Sequence, residues 1–579
     1  MRASSILRRR IQPSAKFLAS PGRAQIVRSY GHLPQSHLVP SYPAQHEQRT
    51  ASSLWISISL LAVGGGAWAH NYFTSNDLSP SAHTRSPPQE PFLGVIDTLK
   101  AMPIEPAPGT VGTLTPEQEA KLQELWVMTL KVFGVDIQAL ETEAKDKESA
   151  DVAAASASKK DKPSKRRWGL WSRSNDDGDD DSKSVSSASG ITASLASINV
   201  SDTNDDKYGQ SKEFQQALVD MSPEEIRTAF WNMVKQDHPD GLLLRFLRAR
   251  KWDVKKALVM MISTMRWRLQ DVHVDDDIMA NGEATAVKLS QSSDAAEKKK
   301  GEEFLFQMRK GKSFLHGVDK FGRPICVVRV RLHHASDQEV DTLERFTVYT
   351  IETARLLLAP PVETATIIFD MTDFGMANMD YTPVKFMIKC FEANYPESLG
   401  SVLIHKAPWV FSSIWSIIKG WLDPVVAAKI HFTKNREDLE AFIPPSQIMK
   451  ELEGGEDWEY KYVEPEAGEN SKMEDTETRD KLVSERQELA KDIQKSTIEW
   501  IQASFKQESE AASAAKEKRD GQIEHLRKQY WELDPYIRTR SLYDRLNIVQ
   551  GNGKIDFYPG AEKKKTEAEE QTPVSEATA

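Results

Sequence analysis

The chain has 579 residues, of which 39% are hydrophobic and 28% charged, a composition that fits a globular core joined to polar segments. Its formal net charge of −10 argues against general binding of nucleic acid, which needs a basic surface. The two cysteines, Cys326 and Cys390, lie in apolar runs and form neither a disulfide framework nor a zinc motif. We expect both to be inert buried thiols.

The N-terminal part of the chain predicts a targeting sequence and a membrane anchor. Residues 1–46 contain Arg, Lys and Ser but no Asp or Glu, which is typical of a mitochondrial presequence, although a disordered basic tail is the alternative. Residues 51–69 carry no charge and are about long enough to span a bilayer as one helix. Because the basic residues precede this stretch, we expect a single-pass protein of the mitochondrial inner membrane, with its bulk in the intermembrane space. Another membrane anchor that faces the cytosol is the alternative.

A linker, one helix and a low-complexity stretch are predicted next. Residues 70–110 are rich in proline and serine and indicate a linker. Thr115 is followed by Pro, Glu and Gln, a capping box that predicts a helix over residues 115–142. Residues 143–210 combine Ala/Ser/Lys runs with an acidic cluster. We expect them to be disordered, because they cannot bury enough apolar area to offset the entropy of ordering.

The rest of the chain predicts an α/β fold behind a helical lobe. A second capping box at Ser222 and apolar residues at helical spacing predict the N-terminal helical lobe over residues 215–275. Polar residues 277–303 indicate a loop or a loose helix. Residues 304–462 then alternate β-branched strand patterns, "RPICVVRVRL", "TATIIFDM" and "SVLIHKA", with helical ones, which predicts a mostly parallel sheet covered by helices.

The C-terminal part predicts a helical extension and a tail. Residues 473–546 begin with a long charged helix whose apolar stripe is too irregular for a coiled coil, so we expect it to pack back on the domain. The same helix is a candidate docking surface for a protein partner. Residues 547–579 are expected to be disordered.

No motif in the chain favours an enzyme. We find no nucleophile elbow, phosphate-binding loop, zinc-protease motif or dinucleotide fingerprint. Asp370 and Asp373 follow a predicted strand and are better explained as turn and cap residues than as a catalytic pair. The histidines have no metal-ligand spacing. The sequence therefore predicts a binding protein without a metal or a catalytic cofactor.

Residues 408–422, "PWVFSSIWSIIKGWL", which we call the tryptophan segment, contain a single charge. Written as a helix, they are apolar over most of the circumference but too short to span a bilayer. A helix that is apolar all round must be buried on more than one side. One side would meet the sheet and the other an acyl chain or a membrane surface. An ordinary core helix is the alternative.

Several motifs together resemble the CRAL-TRIO lipid-binding family, and most closely the fungal phosphatidylinositol transfer proteins. They are "LLLRFLRARKWDVKKALVMM", "DKFGRPICVV", "TATIIFDMTDFG", "NYPESLGSVLIHKAPWVFSSIWSIIKGWLDP" and "AAKIHF", within about residues 215–462. The resemblance implies a helical lobe plus an α/β lobe that encloses a hydrophobic pocket. It implies one bound phospholipid, phosphatidylinositol, in place of a cofactor, and a mobile helix that gates the pocket and dips into the membrane.

The resemblance also implies site residues. The phosphoinositide headgroup is expected to contact Arg250, Lys251, Asp319 and Lys429. This is chemically sensible because cations pair with a phosphodiester and a carboxylate accepts from inositol hydroxyls. A solvated helix face is the alternative for the first two. The expected gate residues are Glu397, Trp409, Phe411, Trp415, Ile418 and Trp421. For the glutamate, a turn cap is the alternative.

Three positions depart from the family pattern. Val426 replaces a hydroxyl residue near the headgroup lysine, Ala365 replaces a serine that contacts choline lipids, and Cys326 replaces a tyrosine. These changes weaken an expectation of phosphatidylcholine exchange and leave a second ligand open. The expected function is transfer of phosphatidylinositol, with membrane lipids as partners, between the two mitochondrial membranes. The alternative is a scaffold that senses a lipid, isoprenoid or haem ligand and presents it to a partner without net transfer.

Overall fold

A computed structural model describes residues 106–137 and 206–560. All of these residues lie in the second of two compact units, Glu90–Ala579. The predicted presequence and membrane span fall outside the described residues. So do most of the predicted linker and nearly all of the low-complexity stretch.

Five helices open the described chain and form most of the helical lobe. Both predicted capping boxes are confirmed. The hydroxyls of Thr115 and Ser222 accept from the backbone N–H three residues on, and the side chains of Gln118 and Glu225 accept from the cap N–H in return. The helices are α1 Pro116–Val132, α2 Gln210–Asp220, α3 Pro223–Val234, α4 Pro239–Ala249 and α5 Val254–Arg266. The first helix therefore ends ten residues before the predicted boundary, and the second begins at 210.

Residues 277–303, expected to be a loop or a loose helix, lie mostly in two ordered helices. After π-helical turns at Trp267–Asp271 and Val274–Met279, α6 runs from Ala280 to Ser290 and α7 from Ala295 to Lys310. Asp294 caps α7 by accepting from two backbone N–H groups. The outer surface of α7 is polar. Its buried residues, which include Phe304, Leu305 and Met308, lie in the C-terminal part of the helix, so the sequence pattern of its first turns gave no sign of a buried side.

The α/β lobe contains a five-stranded sheet in the order β1-β2-β3-β4-β5. Its strands are β1 Ser313–Val318, β2 Pro324–Arg329, β3 Ala365–Asp370, β4 Leu399–His405 and β5 Ile430–Thr433. The first pair is antiparallel and the other three pairs are parallel. The predicted mostly parallel sheet is thus confirmed.

Helices on the connections cover this sheet. They are α8 Val340–Leu356, α9 Tyr381–Lys389, α10 Phe411–Lys419, α11 Pro424–Ala427 and α12 Arg436–Glu440. Short 3₁₀ turns lie at Val330–Leu332, Ala335–Asp337, Met376–Asn378, Pro445–Gln447, Lys450–Leu452 and Ser471–Glu474. Because side chains alternate along a strand, Ile325, Val327 and Leu403 pack on one face against the segment that contains Leu439 and Ile448. The other face is left for α8, α9 and α10.

The C-terminal extension forms a hairpin of two helices instead of one long helix. α13 Thr476–Phe505 and α14 Ser509–Ile537 are separated by a turn in which Gln507 has φ 61°. Ile493, Trp500 and Leu526 are buried in the same core as α1 to α5. The hairpin therefore completes the helical lobe.

The last described residues pack on the α/β lobe. After a short helix, α15 Leu542–Arg545, Ile548 is buried with the core beside the sheet. The Tyr543 hydroxyl accepts from the Leu315 N–H at 2.7 Å, so it occupies a backbone donor of edge strand β1. The expected disordered tail from 547 thus includes ordered residues up to 560.

Candidate functional site

A cavity of about 250 Å³ lies between the free face of the sheet and helices α8, α9 and α10. Strand residues Cys326, Ile367 and Val402 form its floor, and Phe346 and Met387 are among the helical residues on its walls. Its lining is almost wholly apolar. Such a space suits a hydrocarbon chain and offers little to a polar ligand.

The tryptophan segment forms one wall of this cavity with a helix that has two different faces. Phe411, Ile414 and Ile418 are buried at helical spacing, whereas Ser412 and Ser416 are exposed. The expected helix over 408–422 is therefore shortened to Phe411–Lys419. The expectation that it is buried on more than one side is wrong, because serines and the exposed Ile417 occupy its outer face.

The predicted gate residues in this segment separate into two groups. Phe411, Trp415 and Ile418 line the cavity. Trp409 precedes the helix and is 89% exposed. Trp421 follows the helix and packs edge-on against Tyr381, with ring centroids 5.4 Å apart.

A charged edge lies at the N-terminal ends of the parallel strands. Lys429 directly precedes β5, and its Nζ lies 3.3 Å from Oε2 of Glu397, two residues before β4. One predicted headgroup residue and one predicted gate residue thus meet in an ion pair. Glu397 has φ 53°, in the left-handed region, and its carbonyl accepts from Nη1 of Arg245 at 3.0 Å.

Asp319 lies at the same edge, in the turn between β1 and β2, but it is buried and bonded within the protein. Its carboxylate accepts from the N–H groups of Phe321 and Arg323 and, at 2.7 Å, from the hydroxyl of Thr366. The Arg323 guanidinium lies 3.8 Å away. These contacts hold the turn and leave the carboxylate little capacity to accept from a ligand.

The remaining predicted headgroup residues are at the end of α4. Nη2 of Arg250 donates to Oε1 of Gln210 at 2.5 Å, and Gln210 in turn donates to the Ala393 carbonyl. Arg250 is therefore linked to the segment 393–397 through Gln210, whereas Lys429 contacts this segment directly at Glu397. Lys251 is exposed and has φ 51°.

Two cations of this edge were missed by the sequence reasoning. Arg323 is partly exposed, stacks on the ring of Phe321 at 4.7 Å and lies 3.4 Å from the Ser401 hydroxyl. Arg245 is the other. Their proximity to Glu397 and Lys429 arises only on folding. The position of Arg323 before Pro324, at the start of a strand, was the one available signal.

The three departures from the family pattern fall at different places. Cys326 and Val426 line the cavity, whereas Ala365 begins β3 at the strand edge. Burial raises the pKa of the Cys326 thiol to about 12 and does the same for Cys390. Both thiols therefore remain protonated at neutral pH, which weakens them as nucleophiles and as metal ligands.

Comparison with known proteins identifies the family. The CRAL/TRIO domain matches residues 308–454, and the CRAL/TRIO N-terminal domain matches residues 210–263. A CRAL-TRIO domain-containing protein of Schizosaccharomyces pombe is 38% identical over 448 residues, which cover 76% of this chain and 92% of the relative. This chain belongs to the CRAL-TRIO family.

Two further CRAL-TRIO relatives carry descriptive names. Phosphatidylinositol transfer protein CSR1 of Eremothecium gossypii is 41% identical over 462 residues, 78% of this chain and 99% of the relative. Sec14 cytosolic factor of S. pombe is 28% identical over 262 residues, 42% of this chain and 84% of the relative.

The expected location of this CRAL-TRIO protein has to be corrected. One relative is named a cytosolic factor, and within residues 106–137 and 206–560 no helix is long and apolar enough to cross a bilayer. The placement as a single-pass inner-membrane protein with its bulk in the intermembrane space is therefore wrong. The apolar residues 51–69, on which it depended, lie outside the described residues.

Proposed function

We propose that this protein binds one molecule of phosphatidylinositol, shields its acyl chains in the cavity and exchanges it between membranes. The observation that carries the proposal is the apolar cavity behind α10. Each methylene group that moves from water into such a space contributes about 0.8 kcal/mol, so acyl chains supply ample driving force. The name of the Eremothecium relative supports the choice of lipid.

Loading requires α10 to act as a gate. At about 250 Å³ the cavity is smaller than typical small-molecule pockets of roughly 300–1,000 Å³, and a diacyl lipid needs more room. Outward movement of α10 enlarges the cavity, because Phe411, Trp415 and Ile418 form that wall. Trp409 is then positioned to enter the interfacial region of a membrane, where tryptophan is favoured.

The charged edge selects the headgroup in this proposal. Lys429, Arg250 and Lys251 supply positive charge for the phosphodiester, with Arg323 as an additional donor. Glu397 accepts from inositol hydroxyls once Lys429 turns to the phosphate. Asp319 acts indirectly, by holding the turn that positions Arg323.

Native mass spectrometry of the purified full chain tests the lipid and the site together. We expect a bound mass equal to phosphatidylinositol, and at least a tenfold loss of loading in the double variant Arg250→Met/Lys429→Met, because charged hydrogen bonds contribute about 1.5–3 kcal/mol each. Lys298→Met, which removes an exposed charge on α7, is the control and should load normally. Recovery of a lipid-free protein contradicts the proposal. Equal loading of the double variant contradicts the site.

The lining of the cavity favours a second candidate, a scaffold that binds an isoprenoid hydrocarbon and presents it to a partner. Cys326 and Val426 stand in the cavity at positions where polar side chains would serve a phospholipid. A vesicle assay separates the candidates: a scaffold retains its ligand, whereas a transfer protein delivers it to acceptor vesicles.

A further inference from the structure

The C-terminal end of α10, which we call the gate helix, is connected by hydrogen bonds to the turn that precedes α2. Glu392 lies in a π-helical turn, Cys390–Asn394, after α9, and both oxygens of its carboxylate accept hydrogen bonds. Oε1 accepts from the N–H of Asp423 at 2.7 Å. Oε2 accepts from Nζ of Lys207 and from the hydroxyl of Tyr208, each at 2.7 Å. Nζ of Lys207 also donates to the carbonyl of Trp421.

These contacts join the turn before α2 to the connection between α10 and α11. Trp421 and Asp423 form the connection between α10 and α11, so they move whenever the gate moves. Lys207 and Tyr208 are held in a fixed turn, because the Asp206 carbonyl accepts from the N–H of Gly209 and its carboxylate accepts from that of Ser211. Gly209 has φ 71°, which favours glycine.

The two ends of the gate helix are therefore held differently. At the N-terminal end the contacts are apolar: Phe411 packs on Phe374, and Trp409 is exposed. At the C-terminal end Trp421 also packs on Tyr381, but ionic contacts are added there. These are partly open to solvent, since the Lys207 side chain is 43% exposed and that of Glu392 only 6%. Hydrogen bonds of this kind are strong but directional, so each is lost when its partner moves away.

We infer that Glu392 is a positioning residue that, with Lys207 and Tyr208, forms a latch holding the C-terminal end of the gate helix closed. The inference rests on the proposed function and adds its regulation: the rate of gate opening is set by contacts from residues 206–208. Any event that pulls this segment away lowers the barrier to lipid exchange.

The double variant Lys207→Ala/Tyr208→Phe tests the latch in the full chain. It removes both donors from residues 206–208 and leaves the bond between Glu392 and Asp423. We expect exchange of phosphatidylinositol between vesicles to accelerate about threefold to tenfold, and amide hydrogen exchange in residues 411–422 to accelerate, with an unchanged melting temperature. The single variant Lys207→Arg keeps a cationic donor and should show the slow wild-type rates of lipid exchange and hydrogen exchange. Lys212→Ala, which removes an exposed charge from α2, is the control and should have no effect.

The two readouts separate the latch from the proposed function. Faster hydrogen exchange at 411–422 without lipid transfer by any variant would support the latch and reject the transfer function. Transfer by the wild-type protein with both rates unchanged in the double variant would reject the latch. A lower melting temperature with uniformly faster hydrogen exchange would also reject it, because the contacts would then be merely structural.

Discussion

At the scale of single residues, the carboxylate of Glu352 is the centre of a buried cluster of charges that is structural. Glu352 of α8 is fully buried and accepts from Lys235 and Arg268 at 2.6 Å, from the Tyr395 hydroxyl at 2.8 Å and from Arg355 at 3.3 Å. Burial alone would raise the pKa of this carboxyl, but the three cations hold it well below its usual range. This single carboxylate therefore connects the helical lobe to the helix that walls the cavity.

Replacing Glu352 by Gln is expected to destabilise the protein by about 3–5 kcal/mol, because it leaves buried cations without their counter-charge. Urea-induced unfolding at pH 7 measures this loss. Glu464→Gln breaks a pair with Arg309 in which both side chains are about half exposed, and it should cost less than about 1 kcal/mol. Similar losses in the two variants would show that burial does not amplify the ionic contacts around Glu352.

At the scale of elements, the gate helix depends on residues with opposite roles only two positions apart. Phe411 is buried against Phe374, whereas Trp409 projects into solvent. Composition alone could not distinguish them, because both are large aromatics in one apolar run. The distinction follows from where the helix begins, and that is fixed by packing on β3 and β4 in the folded domain.

Trp409→Ala should leave the stability unchanged and weaken binding to phosphatidylinositol-containing vesicles about tenfold, since insertion of a large apolar side chain contributes roughly 1.5–3 kcal/mol. Phe411→Ala should instead lower the free energy of unfolding by about 3 kcal/mol. Vesicle sedimentation and urea unfolding measure the two effects. Val219→Ala, an equally isolated exposed apolar residue on α2, is the control. Unchanged vesicle binding by Trp409→Ala would exclude its role at the membrane.

The elements show where the sequence was informative. Strands β2, β3 and β4 were predictable because each is a run of β-branched residues that is buried on both faces. Strands β1 and β5 were missed, since both lie at sheet edges and alternate with residues such as His316 and His431. The break at Gln507 was missed because nothing around it is a strong helix breaker. At the site, the sequence supplied Lys429 through the family pattern but could not show that Asp319 is already satisfied, because Thr366 is distant in sequence.

At the scale of the whole molecule, the helical lobe is completed by segments from both ends of the described chain. Asp240 of α4 accepts from the Trp126 indole N–H of α1 at 2.6 Å and from Nη1 of Arg519 of α14 at 2.7 Å. The Arg519 Nε donates to the Thr497 hydroxyl of α13 at 2.7 Å. One buried ion pair therefore ties four helices together. The C-terminal hairpin is consequently part of the domain, which limits its buried face as a docking surface for a partner.

Arg519→Met tests this arrangement, because it leaves the Asp240 carboxylate buried without its cation. We expect a loss of about 3–5 kcal/mol in urea unfolding at pH 7, against less than about 1 kcal/mol for Lys518→Met, which breaks a surface pair with Glu499. Burial alone would raise the pKa of Asp240, but the charge and hydrogen bonds of Arg519, together with His238 and the Trp126 indole, outweigh it and lower the pKa to about 2. Since this value lies below that of an unfolded aspartate, the pair stabilises the wild-type protein fully above about pH 4, and its contribution falls as the pH drops towards 2.

The dependence of the free energy of unfolding on pH in acid therefore distinguishes the ion pair from simple packing. In the wild-type protein the free energy of unfolding should decline between about pH 4 and pH 2, and part of that decline, roughly 2 kcal/mol, belongs to Asp240. In Arg519→Met the carboxyl loses its cation, burial then raises its pKa, and protonation begins at higher pH. The gap between the two curves should consequently be widest near neutral pH and narrow in acid. A constant gap from pH 7 to pH 2 would mean that Arg519 stabilises the lobe through its packing on Trp126 and Trp500, and the electrostatic account of this junction would have to be abandoned.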